Sequence, residues 1–300
     1  MPELPEVETI KLGLQKYLVG HKIESVDVKA PKIFQGDPKN IIGGKVKDVR
    51  RKGKGLIIDL DNGYSLAIHI KLTGQLIYRD EKTKDIPVSP TKVKTLPNPF
   101  THVVFHLDRG ATLYYNDQRR FGWIKVVKTS EVDELPFFKG MGPEPLAALF
   151  RVNLQSELGV NPSDSEKDLT LEKFERAISS KNTAIKPLIM DQTKIGGIGN
   201  IYANDALFLA KIDPRRRAKS LSKAEIKRLY EAVLSVMEKS FKYGGASELS
   251  FVNVMGQEGQ YQNHSLVYGK KGKECPNKNG IIKKIFLGGR GTFFCESCQK

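Results

Sequence analysis

The sequence has 300 residues, 39% of them hydrophobic, and its 49 lysines and arginines outnumber 34 aspartates and glutamates for a formal net charge of +15. This length predicts two domains, and this composition supports real hydrophobic cores. No apolar run is long enough to span a bilayer, and charges interrupt the N-terminus, so we expect neither membrane-spanning helices nor a signal peptide. The charge favours a polyanionic partner through counterion release. A lysine-rich host proteome is an alternative explanation of it.

The first six residues, Met-Pro-Glu-Leu-Pro-Glu, precede an apolar pattern of helical period from Val7 to Leu18. Proline and glutamate both suit the first turn of a helix, so a well-capped surface helix is one interpretation. The other interpretation begins with the removal of Met1, which a small second residue permits. An N-terminal amine at Pro2 has a reference pKa near 8, against about 10.4 for lysine, so roughly a tenth is free base at neutral pH. Such an amine is a candidate nucleophile.

After this helix the apolar pattern changes to a period of two residues, which is typical of half-buried strands. Two runs within 55–70 flank Asp61-Asn62-Gly63, and an Asn-Gly turn between such runs predicts a β-hairpin. A second hairpin is predicted over 101–115 and another strand over 122–127. Residues 80–100 are polar and contain prolines, so we expect a loop there. This part of the sequence therefore predicts one helix with a mostly antiparallel β-sandwich.

The second half of the sequence predicts a helical region that begins near the N-terminal cap Thr170. Ser222 and Glu225 have the spacing of a capping box and predict a long helix. Between these positions, a glycine-rich turn at 194–203 leads into another helix. The turn is not a dinucleotide fingerprint, because no strand precedes it. It is either a phosphate site at a helix N-terminus, assisted by Asn200 and the basic run that follows, or a tight connection beside a solvated charged surface.

All three cysteines, Cys275, Cys295 and Cys298, lie close to the C-terminal end of the sequence. An odd, clustered set is a poor disulfide framework and indicates a metal site instead. A Cys-x₂-Cys-x₁₆-Cys-x₂-Cys zinc site would have its second ligand at Lys278, and an ammonium group does not bind zinc. The segment either binds zinc weakly, through three thiolates and an outside group, or forms a metal-free hairpin from the runs 281–287 and 292–295.

Two loop segments have the composition to enter a base stack. The segment 116–122 places Arg119 and Phe121 at a strand-to-strand connection, and Leu72 is the apolar tip of another loop. On DNA, an arginine and an apolar wedge in a loop can fill a gap between bases. Taken alone, Leu72 and Phe121 fit a place in the hydrophobic core better.

Segments along nearly the whole chain share a pattern with one known family. They are Pro2–Thr9, Asn116–Gly122, Gly142–Leu146, Thr183–Pro187, Gly197–Tyr202, Val267–Gly269 and Gly289–Lys300. Together they resemble the bacterial formamidopyrimidine-DNA glycosylase family. The start Glu3-Leu-Pro-Glu6, rather than the Glu-Gly-Pro-Glu of the sister endonuclease VIII group, favours oxidised purines over oxidised pyrimidines.

The resemblance implies a multidomain α+β fold. Its parts are an N-terminal β-sandwich with an N-terminal helix over 1–140, a linker over 141–169, a helix–two-turn–helix domain over 170–263 and a zinc-finger-like β-hairpin over 264–300. It implies a base-excision-repair enzyme, a bifunctional DNA glycosylase and AP lyase. We expect such an enzyme to remove 8-oxoguanine and formamidopyrimidines from double-stranded DNA and to cleave the abasic strand by β,δ-elimination. A monomer in the bacterial cytoplasm, associated with the nucleoid and not with a membrane, is expected.

Four residues are implied as catalytic. The Pro2 amine attacks C1′ of the everted nucleotide, and Glu3 protonates the opening sugar. Lys54 assists base excision and β-elimination, and Arg290 grips the lesion's phosphate and serves δ-elimination. While Met1 is attached, Pro2 is a tertiary amide that cannot form the iminium, so activity is expected only after its removal.

The resemblance also implies DNA contacts from seven residues: Leu72, His102, Arg119, Phe121, Lys181, Lys186 and Asn200. The match is weaker for His102. Residues 256–261 fall where the family has a mobile loop over the everted base.

Three positions depart from the family pattern. Lys278 replaces a zinc cysteine, which leaves the zinc cofactor of Cys275, Cys295 and Cys298 without its fourth ligand. Leu72 replaces a methionine wedge with one of similar volume, and Gln118 replaces a common proline or valine. The incomplete zinc site leaves open one alternative, a non-catalytic protein that binds damaged DNA. A second alternative is the pyrimidine specificity of the sister group.

Overall fold

The computed structural model describes residues 1–145, 168–179 and 181–300. Its chain forms two compact units, one made of Met1–Lys139 with Phe241–Gln262 and the other of Gly140–Ser240 with Asn263–Lys300. Residues 146–167 of the linker expected over 141–169 lie outside the described residues. Within the described ranges, no helix is long and apolar enough to cross a bilayer.

The first unit begins with helix α1, Leu4–Leu18, as the apolar period predicted. Pro5 lies in its first turn, where a missing N–H costs nothing, and Glu6 complements the positive end of the helix. The apolar face, which includes Ile10 and Leu14, is completely buried. The helix is therefore part of the core, and its first turn is held by that burial.

Nine strands follow between Ile23 and Lys128, a fully described range, and form two sheets. Their bounds are β1 Ile23–Val28, β2 Phe34–Gln35, β3 Val46–Lys52, β4 Gly55–Leu60, β5 Tyr64–His69, β6 Gly74–Arg79, β7 Thr101–Leu107, β8 Thr112–Asp117 and β9 Trp123–Lys128. One sheet has the order β1-β7-β8-β6 and the other the order β2-β9-β5-β4-β3, with only β2 and β9 parallel. Apolar side chains of both sheets and of α1 share one buried cluster, which confirms the predicted sandwich with its helix.

Both predicted hairpins are present. Strands β4 and β5 pair with Leu56 opposite Ile68, and β7 and β8 pair with Phe105 opposite Leu113. In the first hairpin Gly63 has a φ of 82°, a left-handed conformation that glycine adopts without strain. Residues 80–100 contain neither helix nor strand, as expected.

The described residues of the second unit are mainly helical before the C-terminal hairpin. The helices are α2 Leu171–Ile178, α3 Ile185–Ile189, α4 Asn200–Leu209 and α5 Lys223–Lys242, whose last two residues belong to the first unit. The predicted caps are formed. The Thr170 side chain accepts a hydrogen bond from the Lys173 N–H, and Ser222 and Glu225 exchange hydrogen bonds. The glycine-rich turn leads directly into α4, which confirms the helix predicted after it, and that helix begins at Asn200.

A two-stranded hairpin is formed by β10, Lys283–Leu287, and β11, Arg290–Phe294. The connection is only Gly288-Gly289, and both glycines have positive φ, 57° and 71°. This is the backbone of a two-residue type I′ turn, which suits the twist of the flanking strands. Leu287 therefore pairs with Arg290. Strand β11 begins two residues before the predicted run 292–295.

Residues 241–262 belong to the first unit, although a helix of the second unit leads into them. The Ala246 N–H donates to Glu6 Oε1 at 2.8 Å, and the Tyr78 N–H donates to the Val254 carbonyl at 2.8 Å. These bonds join positions far apart in the sequence, so no local pattern indicates them. The sequence-based domain boundaries stay predictions.

Candidate functional site

The N-terminal candidates lie at the start of α1. Pro2 is buried, and Glu3, the N-cap of the helix, is only 2% exposed. Glu6 accepts a hydrogen bond from the Glu3 N–H at 2.7 Å through Oε2 and one from the Ala246 N–H at 2.8 Å through Oε1. The Glu6 carboxylate therefore fixes the backbone of Glu3 and joins the helix start to the segment that contains Ala246.

An arginine connects this helix with the turn that carries Lys54. Arg51 donates from Nε to Glu8 Oε2 and from Nη1 to the Gly53 carbonyl, both at 2.7 Å. The Arg51 and Glu8 side chains are 3% and 1% exposed. Burial would raise the pKa of Glu8, but the charges of Arg51 and Lys11 hold it below its usual value. Lys54 follows Gly53 in the β3–β4 turn and is itself buried.

His69, at the end of β5, is electrostatically coupled to Lys54. Its Nδ1 accepts a hydrogen bond from the Lys71 N–H at 2.9 Å, and its ring centroid is 4.5 Å from that of Phe137. Burial, reinforced by the charges of Lys71 and Lys54, lowers the pKa of His69 to about 3. The imidazole is therefore neutral at physiological pH and adds no positive charge beside Lys54.

The β8–β9 loop presents an arginine and an aromatic side chain to solvent. Phe121 is 59% exposed, and the Arg119 guanidinium carbon lies 4.8 Å from its ring centroid. The buried Asp117 carboxylate accepts hydrogen bonds from the Arg119 N–H at 3.2 Å and the Gly122 N–H at 2.8 Å. It also accepts one from the Thr73 hydroxyl. A place for Phe121 in the core is therefore wrong, and Asp117 holds the loop that exposes it.

Leu72 and His102 both make contacts within the first unit. Leu72 is half-buried in the turn between β5 and β6, and its carbonyl accepts a hydrogen bond from the Ser250 hydroxyl at 2.8 Å. His102 in β7 is 3% exposed, and its Nε2 donates to the Asp117 carbonyl at 2.9 Å. His102 thereby supports the start of the Arg119 loop. Its contact with DNA stays a prediction.

In the second unit, Lys186 connects the helical part with the hairpin. Its side chain is completely buried, and Nζ donates to Asn200 Oδ1 at 2.6 Å and to Thr292 Oγ1 at 2.9 Å. Both Lys186 Nζ and Asn200 Nδ2 also donate to the Gly291 carbonyl, at 3.2 and 3.0 Å. These bonds position the strand that begins with the exposed Arg290. The burial of Lys186 differs from the solvent-facing contact that the resemblance implies, and the phosphate roles of Lys186 and Asn200 stay predictions.

The other basic candidates differ in their surroundings. Lys181 is exposed. Arg215 pairs with Asp213 at 2.6 Å, and Arg216 pairs with Glu225 at 2.5 Å. The hydrogen bond from Arg216 lowers the pKa of Glu225 to about 2. Protein carboxylates thus neutralise Arg215 and Arg216 in part. For these two members of the basic run that follows the glycine-rich turn, this favours a solvated charged surface over a phosphate site.

The three cysteine thiols lie together in the second unit. The Sγ atoms of Cys275, Cys295 and Cys298 are within 4.8 Å of one another, and those of Cys275 and Cys298 are 3.4 Å apart. Tetrahedral zinc, with Zn–S bonds of about 2.3 Å, requires sulfur atoms about 3.8 Å apart. The cluster therefore has the size and the soft donors of a metal site. Lys278, at the position expected for a fourth ligand, is exposed.

The sequence analysis did not identify several residues that hold the candidate site residues in place. An aspartate at the start of a turn commonly accepts hydrogen bonds from the turn's N–H groups, so Asp117 had a local signal. Arg51 and Glu8 are 43 residues apart in the sequence and had none. Their pairing depends on how α1 packs against β3.

Two protein-domain families match the chain. The formamidopyrimidine-DNA glycosylase N-terminal domain matches residues 1–124, and the formamidopyrimidine-DNA glycosylase H2TH domain matches residues 158–251. The formamidopyrimidine-DNA glycosylase of Pelotomaculum thermopropionicum is 37% identical over 305 residues, which covers 100% of this chain and 99% of that protein.

Solved structures give the same result. The Lactococcus lactis FPG in complex with FAPY-dG containing DNA has a TM-score of 0.80 and 29% identity, covering 99% of this chain and 100% of that one. MutM in complex with DNA containing carbocyclic 8-oxo-G has a TM-score of 0.81 and 30% identity, covering both chains completely. The fold and the matched domains define a DNA-repair enzyme of the glycosylase and AP-lyase class. The chain belongs to the formamidopyrimidine-DNA glycosylase family.

Proposed function

We propose that this enzyme removes 8-oxoguanine and formamidopyrimidines from double-stranded DNA and cleaves the resulting abasic strand by β,δ-elimination. The observation that carries the proposal is the buried start of α1, where Glu6 fixes the backbone of Glu3 beside Pro2. Relatives bound to FAPY-dG and 8-oxo-G DNA support the lesion class. The enzyme acts as a monomer in the bacterial cytoplasm.

The reaction starts from the Pro2 amine, which becomes available when Met1 is removed. Its lone pair attacks C1′ of the everted nucleotide, the N-glycosidic bond breaks, and the departing base takes up the proton that the amine loses. Glu3 then protonates the ring oxygen O4′ as the C1′–O4′ bond breaks. The product is an iminium, which has no N–H to lose and so stays cationic. That charge acidifies the C2′ proton.

Strand cleavage follows from the iminium. Loss of the C2′ proton expels the 3′ phosphate, which is β-elimination, and loss of the C4′ proton expels the 5′ phosphate, which is δ-elimination. Lys54 assists base excision and the first elimination. Arg290 binds the lesion's phosphate and serves the second elimination. Because β11 begins at Arg290, the bonds from Lys186 and Asn200 to the neighbouring backbone support that role.

Five of the predicted contacts account for binding of the duplex. Arg119 and Phe121, with Leu72 as the apolar wedge, fill the gap that the everted nucleotide leaves. Lys181 and Asn200 contact backbone phosphates, which positions the protein without reading sequence. Cys275, Cys295 and Cys298 would hold zinc, which soft thiolate donors select. It would stabilise the loop that precedes β10 and take no part in the reaction.

A lesion panel tests the proposal. Protein whose mass shows that Met1 is absent is incubated with duplexes that contain 8-oxoguanine, a formamidopyrimidine, thymine glycol or an abasic site. We expect faster excision of both purine lesions than of thymine glycol, with a gap left by both eliminations. Faster removal of thymine glycol would assign the sister group's specificity instead.

The Lys278 departure favours one other function, recognition of damaged DNA without catalysis. The Pro2→Gly variant separates the two. We expect it to bind lesion DNA but to lose most excision activity. Lesion binding by the processed wild type without any product would support the non-catalytic function. Unchanged nicking of abasic DNA by Pro2→Gly would show that the activity belongs to another site.

A further inference from the structure

We propose that the side-chain oxygen of Asn279 is the fourth ligand of the metal held by Cys275, Cys295 and Cys298. The inference rests on the proposed metal content of this segment and is independent of lesion specificity. Asn279 Oδ1 lies 3.0 Å from Cys298 Sγ and 3.8 Å from Cys295 Sγ. One amide oxygen thus faces two of the three thiols, although the spacing of the motif points to position 278.

These distances suit donors that share one metal ion. In a tetrahedral site with Zn–S of about 2.3 Å and Zn–O of about 2.1 Å, an oxygen and a sulfur ligand lie about 3.6 Å apart. The two observed separations fall on either side of that value. Amide oxygens are harder donors than thiolates. The site is therefore expected to bind zinc, but less tightly than one with four cysteines.

The backbone of the loop explains why Asn279, and not residue 278, faces the thiols. The Lys278 N–H donates to the Cys275 carbonyl at 2.7 Å, and the Cys275 N–H donates to the Gly280 carbonyl at 2.8 Å, which closes the loop on itself. Lys278 has a left-handed φ of 54° and an exposed side chain. A Cβ on Gly280 would lie 3.3 Å from Cys295 Sγ, so glycine there allows the loop to approach the cluster closely.

A second amide nearby has a different role. Asn277 Nδ2 donates to Cys298 Sγ at 3.2 Å. An N–H group directed at sulfur stabilises the charge of a thiolate, as partners outside the ligand set commonly do. The two asparagines therefore have different roles. Asn277 donates a hydrogen bond to the ligand Cys298, and Asn279 offers an oxygen lone pair to the metal.

X-ray absorption at the zinc edge of the full-length protein tests the ligand set. We expect three sulfur atoms at about 2.3 Å and one oxygen at about 2.0–2.2 Å. Competition with a chelator then gives zinc affinities for the wild type and for three variants. Asn279→Ala is expected to weaken zinc binding by about tenfold or more. Asn279→Asp, which supplies a charged oxygen, is expected to tighten it. Lys278→Ala is the control and is expected to change nothing.

Two results would overturn the inference. Equal zinc affinity of the wild type and Asn279→Ala would show that solvent fills the fourth position. A wild type without zinc beside an Asn279→Cys variant with one zinc per chain would show that the native cluster is not a metal site. Opposite effects of alanine and aspartate at one position cannot come from misfolding. Excision assays on the same samples keep this outcome separate from that of the proposed function, since zinc content is measured directly.

Discussion

The buried guanidinium of Arg51 donates hydrogen bonds to Glu8 Oε2 and to the Gly53 carbonyl, each at a distance of 2.7 Å. One side chain therefore links the helix that begins after Pro2 with the turn that carries Lys54. The proposed nucleophile and the proposed assisting lysine depend on the same ion pair for their placement within the first unit. Neither helical nor strand periodicity accounts for this link.

Breaking the ion pair should destabilise the protein strongly. Glu8→Gln removes the carboxylate from this buried pair, and breaking a buried pair costs about 3–5 kcal/mol. Urea unfolding of the wild type and the variant measures the loss. The double variant Glu8→Met/Arg51→Leu removes both charges and is expected to recover most of the stability. A loss below about 1 kcal/mol for Glu8→Gln, which is typical of surface pairs, would contradict a buried link.

The same carboxylate contributes to acid sensitivity. Because the folded pKa of Glu8 lies below its usual value, the unfolded chain binds the proton more readily. The stabilisation is therefore complete above the unfolded pKa and is lost as the pH falls through the folded one. The double variant is expected to lose less stability than the wild type on acidification below pH about 4.5.

His69 should make stability depend on pH in a higher range. Its pKa is about 3 in the folded chain and about 6.5 in the unfolded chain. Between these values only the unfolded state is protonated, so the free energy of unfolding falls by up to about 1.4 kcal/mol per pH unit as the pH decreases. His69→Gln is expected to show a shallower slope from pH 6.5 downward. Identical slopes for the two proteins would show that His69 is not buried as a neutral ring.

Lys186 and Lys181 should behave differently, although both are implied as phosphate contacts. Lys186→Met leaves Asn200 and Thr292 without their buried donor, which costs about 1–3 kcal/mol. It is also expected to reduce δ-elimination relative to β-elimination, because the start of β11 at Arg290 loses its support. Lys181→Met should leave stability unchanged and lower the salt dependence of DNA binding by about one unit of slope.

Gel analysis of the cleavage products and salt titrations of DNA affinity provide the two measurements. A Lys186→Met variant that keeps its stability and changes only the salt slope would make Lys186 a direct phosphate contact instead.

Asp117 should control how well the β8–β9 loop fills the gap that the everted nucleotide leaves in the duplex. Asp117→Asn replaces one acceptor oxygen with an NH₂ group, so at least one hydrogen bond from Thr73, Arg119 or Gly122 is lost. We expect excision of 8-oxoguanine to fall more than nicking of a preformed abasic site. Gln118→Ala, an exposed change in the same loop, serves as the control. Equal losses in both assays would indicate general unfolding rather than a role in lesion handling.

Local patterns predicted most of the fold. The hairpin turn at Gly63 and the caps at Thr170 and Ser222 depend on residues a few positions apart, and all three are present. The burial of Lys186 and the pairing of Glu8 with Arg51 depend on contacts between distant elements, and residue type alone suggested solvent-facing charges. The position of Asn279 beside the thiols was missed for another reason, because the spacing of the zinc motif points to residue 278.

The proposed reaction requires that the Pro2 amine forms the covalent bond to the abasic sugar. Borohydride reduction during reaction with 8-oxoguanine duplex, followed by nuclease and trypsin digestion and mass spectrometry, tests it most directly. We expect protein lacking Met1 to carry the reduced sugar remnant on the N-terminal amine of the peptide from Pro2 to Lys11. A remnant on the ε-amine of Lys54, or active protein that yields no adduct at Pro2, would contradict it.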